Sequence, residues 1–432
     1  MGVLAVRFSC LLAGTALLAG CVSAREREIP QSPTVIRSYL ADKPPSLHPH
    51  LVTLMRQGPR NRVLNDMRIG LAALEMGEDE LASRLFDDAI GLIEAVYSDR
   101  PDSAKAQSLW AKEAVKDFKG EPYERAMAFT YRGLLYLRAG DYENARASFK
   151  GSVLQDAIAE ENRYRADFGL AIFLEGWASH CLGDHDLAGE SFDEFRRLNP
   201  AFPLPARGDD TLFLIESGGA PLKVTGNGDG QAKGRLTFRA GIESDAPRLR
   251  LPGTGTAVSP PLLEDILFQA STRGGRFIDG IVEGKARFKD AAGTTGDVLI
   301  VGGIGGAQVA GVSQDRDMAL VAAGLLVAGL IAKGIESSVE AGADTRYWDN
   351  LPGKVFGLTA AMGDGIKEVP AEFVNTLGDV EPHKSKSVPL VGKGRCRLAW
   401  ARSDSAFPHA PRAPNSVPME VIAEPIPIPP PE

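Results

Sequence analysis

The sequence predicts an α+β protein, in which an N-terminal array of α-helical hairpins precedes a β-rich α+β domain. Three observations lead there. Between Arg60 and Pro200 the apolar residues recur at the three-and-four spacing of a helix face. Within that stretch three segments share one six-position pattern at identical offsets. After Pro205 the pattern shortens to brief apolar runs separated by glycine-rich turns, as strands are.

Composition agrees with a folded chain. Of 432 residues, 24% are charged and 44% hydrophobic, which excludes wholesale disorder. The length suits two or three domains of about 150 residues each. The net charge of −8 comes with no basic block, so general nucleic-acid binding, which needs clustered cations, is excluded. Four cysteines and six histidines are too few for a disulfide-dense scaffold or a zinc cluster.

Residues 1–20 read as a signal peptide. Arg7 precedes a short apolar run from Phe8 to Gly20, too short to span a bilayer. The run ends in Leu18-Ala19-Gly20-Cys21, which resembles the cleavage box of bacterial lipoproteins. That resemblance implies a diacylglyceryl group on Cys21. The plainer reading is a secretory signal that happens to contain a cysteine. Val22 stands where an aspartate would favour inner-membrane retention, so the resemblance implies an outer-membrane anchor facing the periplasm. Residues 21–55, with Arg25 to Glu28 and scattered prolines, read as a lipidated N-terminus and polar tether.

Residues 56–205 carry the repeated pattern. Its three occurrences are Gly70, Ala73, Gly77, Ala82, Phe86, Ala89; Gly133, Tyr136, Gly140, Ala145, Phe149, Ser152; and Gly176, Ser179, Gly183, Ala188, Phe192, Phe195. The first glycine of each set allows close helix approach, and the second ends a helix in a left-handed cap. An acidic residue follows each cap (Glu78, Asp141, Asp184) and favours the start of the next helix. The phenylalanine fills the gap between the two helices. This pattern resembles the tetratricopeptide repeat. The copies lie 63 and 43 residues apart, against about 34 in that family, so insertions separate them. Ser103 to Phe118 is predicted as an extra helix, and Gln155 to Arg165 as a helix extension and link.

In such repeats the first helix of each hairpin lines the concave face. Here those positions include Leu64, Met67, Leu71, Leu74, Leu134, Leu137, Phe173 and Trp177, a nearly continuous apolar stripe. A stripe of that size needs a cover. Either the chain supplies it, through the inserted helix, the segment Ile29 to Pro49 or the second half, or a partner peptide or helix lies in the groove.

Residues 206–405 are predicted as the β-rich α+β domain, with a sandwich-like arrangement in view. Strands are expected at Phe213 to Ser217, Leu222 to Val224, Arg235 to Ala240, Val298 to Val301, Lys354 to Ala360, Glu372 to Asn375, Val388 to Val391 and Arg395 to Ala401. A helix is expected over Leu262 to Ser271, and a hairpin over Arg276 to Phe288. Met318 to Ala332 is uncharged but short for a span; a buried helix, membrane contact and a partner helix remain open. Asp344-Thr345-Arg346-Tyr347-Trp348 joins a carboxylate, a guanidinium and an indole. It is either a structural corner or a recognition patch. Residues 406–432 are proline-rich and read as a disordered tail.

With the cleavage box, the hairpins and the segment from Asp344 through Leu351-Pro352, the chain resembles a family of bacterial envelope lipoproteins. The resemblance implies a periplasmic scaffold and brings no catalytic residue.

No Gly-x-Ser-x-Gly, P-loop or His-Glu-x-x-His motif occurs. Gly226 to Gly230 lacks the Lys-Ser/Thr ending of a phosphate cradle. His180, Cys181 and His185 straddle a helix end that the repeat already explains, so no metal ligand and no cofactor are assigned. Cys181 and Cys396 are either buried packing residues or a disulfide joining the two halves. The expectation is a non-enzymatic, lipid-anchored adaptor that binds an envelope protein or peptide. Its partner-binding candidates are Leu134, Leu137, Phe173, Trp177, Arg346 and Trp348. The alternative is an accessory subunit of a cell-wall, polysaccharide or secretion system, or an enzyme with an unrecognised site.

Overall fold

The computed structural model describes residues 28–97, 117–157, 167–225, 236–254, 256–272 and 345–407. The signal peptide, Cys21, most of the extra helix, the link after residue 157, the Gly226 turn, the segments 276–288, 298–301 and 318–332, and the tail from 408 lie outside the described residues.

Among the described residues eight α-helices form the N-terminal half: α1 (Pro33–Leu40), α2 (His48–Gln57), α3 (Arg62–Glu75), α4 (Asp79–Tyr97), α5 (Pro122–Ala139), α6 (Tyr142–Ala157), α7 (Gly169–Leu182) and α8 (His185–Leu198). The first two correct the tether reading of residues 21–55. Pro33 and Pro49 begin helices rather than interrupt them, since the first turn needs no proline N–H. Leu40, Leu47, Leu51 and Leu54 pack into the core, and the Ile29 N–H donates to Arg56 O at 2.7 Å.

Helices α3/α4, α5/α6 and α7/α8 form three hairpins with the same turn chemistry. Gly77, Gly140 and Gly183 sit at φ +78°, +77° and +86°, a region that favours glycine. At each turn the next two N–H groups return to the helix, as when Gly140 N donates to Leu137 O and Asp141 N to Tyr136 O. Asp184 then caps α8 by accepting from Leu187 N at 3.1 Å. Inside each hairpin a glycine meets a ring. A Cβ at Gly133 or Gly176 would overlap Phe149 or Phe192, and one at Gly70 would press on Phe86 at 3.2 Å.

Among the described residues, the second half holds a curled seven-stranded sheet rather than the expected sandwich. Its strands are β1 (Thr211–Ser217), β4 (Ala246–Leu249), β5 (Leu262–Asp265), β6 (Lys354–Ala360), β7 (Glu368–Val374), β8 (Lys386–Val391) and β9 (Arg397–Arg402), in the order β4-β7-β8-β9-β1-β6-β5. Only β1 and β9 run parallel. β2 (Leu222–Thr225) and β3 (Leu236–Arg239) form a separate two-stranded ribbon. The helix expected over Leu262 to Ser271 divides in two. Its first four residues are β5, paired with β6 through a bulge, and α9 (Ile266–Thr272) follows.

Alternation along β1 explains the placement of the sheet. Leu212 and Leu214 face the helices, while Phe213 and Ile215 face a small core inside the curl with Leu249, Val369 and Phe373. The helix-facing core is continuous with that of the hairpins. Cys181 at the end of α7 and Cys396 before β9 form a disulfide, with Cα atoms 5.7 Å apart across 215 residues of sequence. The halves are therefore covalently joined as well as packed.

Candidate functional site

The apolar stripe is consumed by the chain itself. Leu134, Leu137, Phe173 and Trp177 are each at most 3% exposed. The cover is the second half: β9 and α9 pack on α5, and β5 packs on α7. These four residues are thus core rather than a free groove, because the hairpins hide their apolar face against the sheet. The remaining two partner-binding candidates are also engaged. Trp348 is fully buried among Phe86 and Tyr131, with ring centroids 6.2 and 5.8 Å away. The Arg346 guanidinium donates to Arg60 O at 3.1 Å and Asn61 Oδ1 at 2.7 Å, and lies 5.6 Å from the Phe118 ring. The segment 345–351 is a structural corner.

Buried carboxylates stitch this seam. Glu124, in the first turn of α5, accepts from Glu121 N within its own capping box and from Trp348 N across the seam. Glu264 of β5 accepts from Leu170 N at 3.1 Å, at the open start of α7. Burial pushes both carboxyls up to about 7, against these hydrogen bonds. Glu216 of β1 accepts from Trp400 Nε1 at 3.0 Å and Tyr131 OH at 3.1 Å, and pairs with the buried Arg402 guanidinium. Burial raises Glu216. Burial opposes the charge on Arg402, and the Glu216 carboxylate outweighs it, leaving Arg402 above its ordinary value. Arg402 also donates to Asn350 O at 2.7 Å, which ties the corner to β9.

A cavity of about 420 Å³ opens beside this network, within the size range of ligand sites. Four elements wall it: the end of α3 with the turn after it (Leu74 to Gly77), Arg138 in the last turn of α5, and strands β8 and β9. The strands part here. β8 pairs with β9 only at Leu390–Ala399 and Val391–Leu398. Continuing that register would set Pro389 opposite Trp400, and proline has no N–H to donate. From Lys386 to Pro389 the strand is paired with β7 along its other edge. The Lys386 ammonium reaches across the gap to Arg402 O at 2.6 Å.

Three cations and one carboxylate line the cavity. Arg402 is satisfied by Glu216. Arg138 is the less satisfied cation. Its Nε forms an ion pair with Asp79 Oδ2 at 3.2 Å, but this buried atom makes no hydrogen bond. Burial pulls both Arg138 and Lys386 below their ordinary values. The Arg138 charge also suits the C-terminal end of α5. Glu75 lines the cavity near Lys386 and Arg402, and its carboxylate accepts from Ala406 N at 2.6 Å and Ser405 Oγ at 3.3 Å. Such a site can hold an anion against an apolar wall of Leu74, Met76, Leu398 and Trp400.

No protein-family model, no curated protein and no solved structure matches this chain.

His180 and Cys181, singled out in the sequence, are occupied structurally. His180 stacks on Trp177 and its Nε2 lies 2.8 Å from Asp209 O, while Cys181 is in the disulfide. Among the described residues no group of three or more His, Cys, Asp or Glu is placed to hold a metal. No helix among them is long and apolar enough to cross a membrane. Arg138, Lys386 and Trp400 do not stand out in the sequence. The one signal for the cavity is Pro389 inside a strand run, since proline there interrupts a ladder.

Proposed function

We propose that this chain is a lipid-anchored scaffold of the bacterial envelope. Acyl chains on Cys21 hold it at the outer membrane, facing the periplasm, and it binds another envelope protein or peptide. Leu18-Ala19-Gly20-Cys21 supports the anchor, and several acyl chains, each contributing roughly 0.8 kcal/mol per buried CH₂, make it stable. The mechanism is tethering, which raises the local concentration of the partner.

The observation that carries the scaffold reading is the threefold recurrence of one packing device: a glycine against a phenylalanine ring, closed by a left-handed glycine cap. We take these hairpins as degenerate tetratricopeptide-like units, a framework that presents surface. Because the stripe is spent on the sheet, recruitment uses another surface.

Two experiments in cells test this. Cys21→Ser should release the protein from the membrane fraction; unchanged membrane association contradicts the anchor. Photoreactive residues at the exposed Leu154 and Leu377 should yield discrete adducts with an envelope protein, and one at buried Trp177 should not. Adducts from Trp177 alone, or none from any surface position, would overturn the scaffold reading.

A further inference from the structure

We propose that the split between β8 and β9 binds the carboxy-terminal end of an extended peptide, with its terminal carboxylate on Arg138. The inference deepens the scaffold reading by naming the partner chemistry, and rests on it for the identity of the partner as a protein.

Four observations converge. The first is the shape of the gap. The two strands are joined at Leu390–Ala399 and Val391–Leu398 and separate beyond Pro389. An extended chain can lie between them as an added strand, using main-chain groups that the strands do not give each other. The second is that the gap is closed at one end. A chain entering from the Lys386 and Arg402 side meets the junction and must stop there, which favours a terminus over a chain passing through.

The third is the position of the least satisfied cation. The Arg138 carbonyl accepts from Lys393 N at 3.2 Å, just past the junction. Arg138 therefore belongs to the closed end, and its side chain is only 14% exposed. A guanidinium presents a planar fork that matches a carboxylate, and this one is paired through its Nε alone, with Asp79 at 3.2 Å. The fourth is the wall. Leu74, Met76, Leu398 and Trp400 provide an apolar surface for the last side chains of the peptide. Glu75 also borders the cavity, but its carboxylate is held by Ala406 and Ser405. At the mouth the Lys386 ammonium bridges to Arg402 O, a bond that an incoming chain must displace.

The test uses the full chain and fluorescein-labelled pentapeptides ending in Ala-Val-Leu, as the free acid and as the carboxamide. The free acid should bind, and the amide should bind about tenfold more weakly or worse. Arg138→Gln should abolish the difference between the two. Asp79→Asn, which removes the competing carboxylate, should tighten the acid and leave the amide unchanged. Thermal melts show whether either variant has lost its fold, and Lys386→Gln, which leaves Arg138 in place, gives a third variant with a smaller expected loss. Equal binding of acid and amide, or a preference untouched by Arg138→Gln and Asp79→Asn in folded protein, overturns the proposal. So does absence of free-acid binding up to about 1 mM, an affinity of roughly −4 kcal/mol. In that last case, surface adducts from Leu154 or Leu377 would still uphold the scaffold, so the two failures are distinguishable.

Discussion

The inside of a hairpin and the seam between the two halves are held by different kinds of contact. Inside the hairpins the same device is used three times, glycine against phenylalanine, over about sixteen residues of sequence. At the seam each contact occurs once and spans a long loop: Tyr131 and Arg402 on Glu216, Glu124 on Trp348, Glu264 on Leu170, Cys181 on Cys396. The hairpins are local and apolar, and the seam is non-local and rich in buried charge. The stripe that looks like a binding groove in the helices alone becomes core once the sheet is present.

Five changes sharpen that contrast, in order of expected size. Phe149→Ala should destabilise the chain by about 3–5 kcal/mol in urea unfolding, since the ring fills the space that Gly133 leaves. Arg402→Met should cost a similar amount, about 3–5 kcal/mol, because it strands the Glu216 carboxylate in the core. If the seam were a loose contact, Arg402→Met would be mild while Phe149→Ala stayed severe. Replacing Cys181 and Cys396 together by serine should cost about 2–5 kcal/mol in the same assay.

A pH titration separates the two regions further. Glu124 and Glu264 have folded-state values near 7, above those of an unfolded chain. Their contribution is complete below the ordinary carboxylate range and is lost as pH rises through about 7. Melting temperature should fall between about pH 5 and about pH 8 from these groups, and Glu124→Gln with Glu264→Gln should flatten the slope. A slope unchanged by the two substitutions would show that the seam carboxylates do not titrate there. The smallest effect is expected on the hairpin surface. Asp87→Ala breaks an ion pair with Arg132 at a half-exposed carboxylate and should cost less than about 1 kcal/mol.

Legibility in the sequence follows the same division. The hairpin turns could be read because each needs glycine at a left-handed position, and the strands at 213–217, 354–360 and 388–391 because their residues are strand formers between turn signals. The first two helices were missed because Pro33 and Pro49 read as tether residues, although proline is at home in a first helical turn. β5 was missed because Leu262 to Ser271 is apolar enough for either element, and only its pairing with β6 decides. The seam had no local signature. Nothing near Glu216 in sequence foretells Arg402, and the cysteine pairing could not be decided from spacing alone. The cavity depends on where two strands part, which pattern reading does not resolve beyond the hint of Pro389.

The measurement that bears most directly on the central claim, that the sheet is docked on the first helices of the hairpins, is peptide mapping without reduction of the full chain exported to an oxidising compartment. A single crosslinked species containing Cys181 and Cys396 is the expected result. Two freely alkylated thiols at those positions would contradict the joined seam and return the stripe from Leu64 to Trp177 to the status of an open groove.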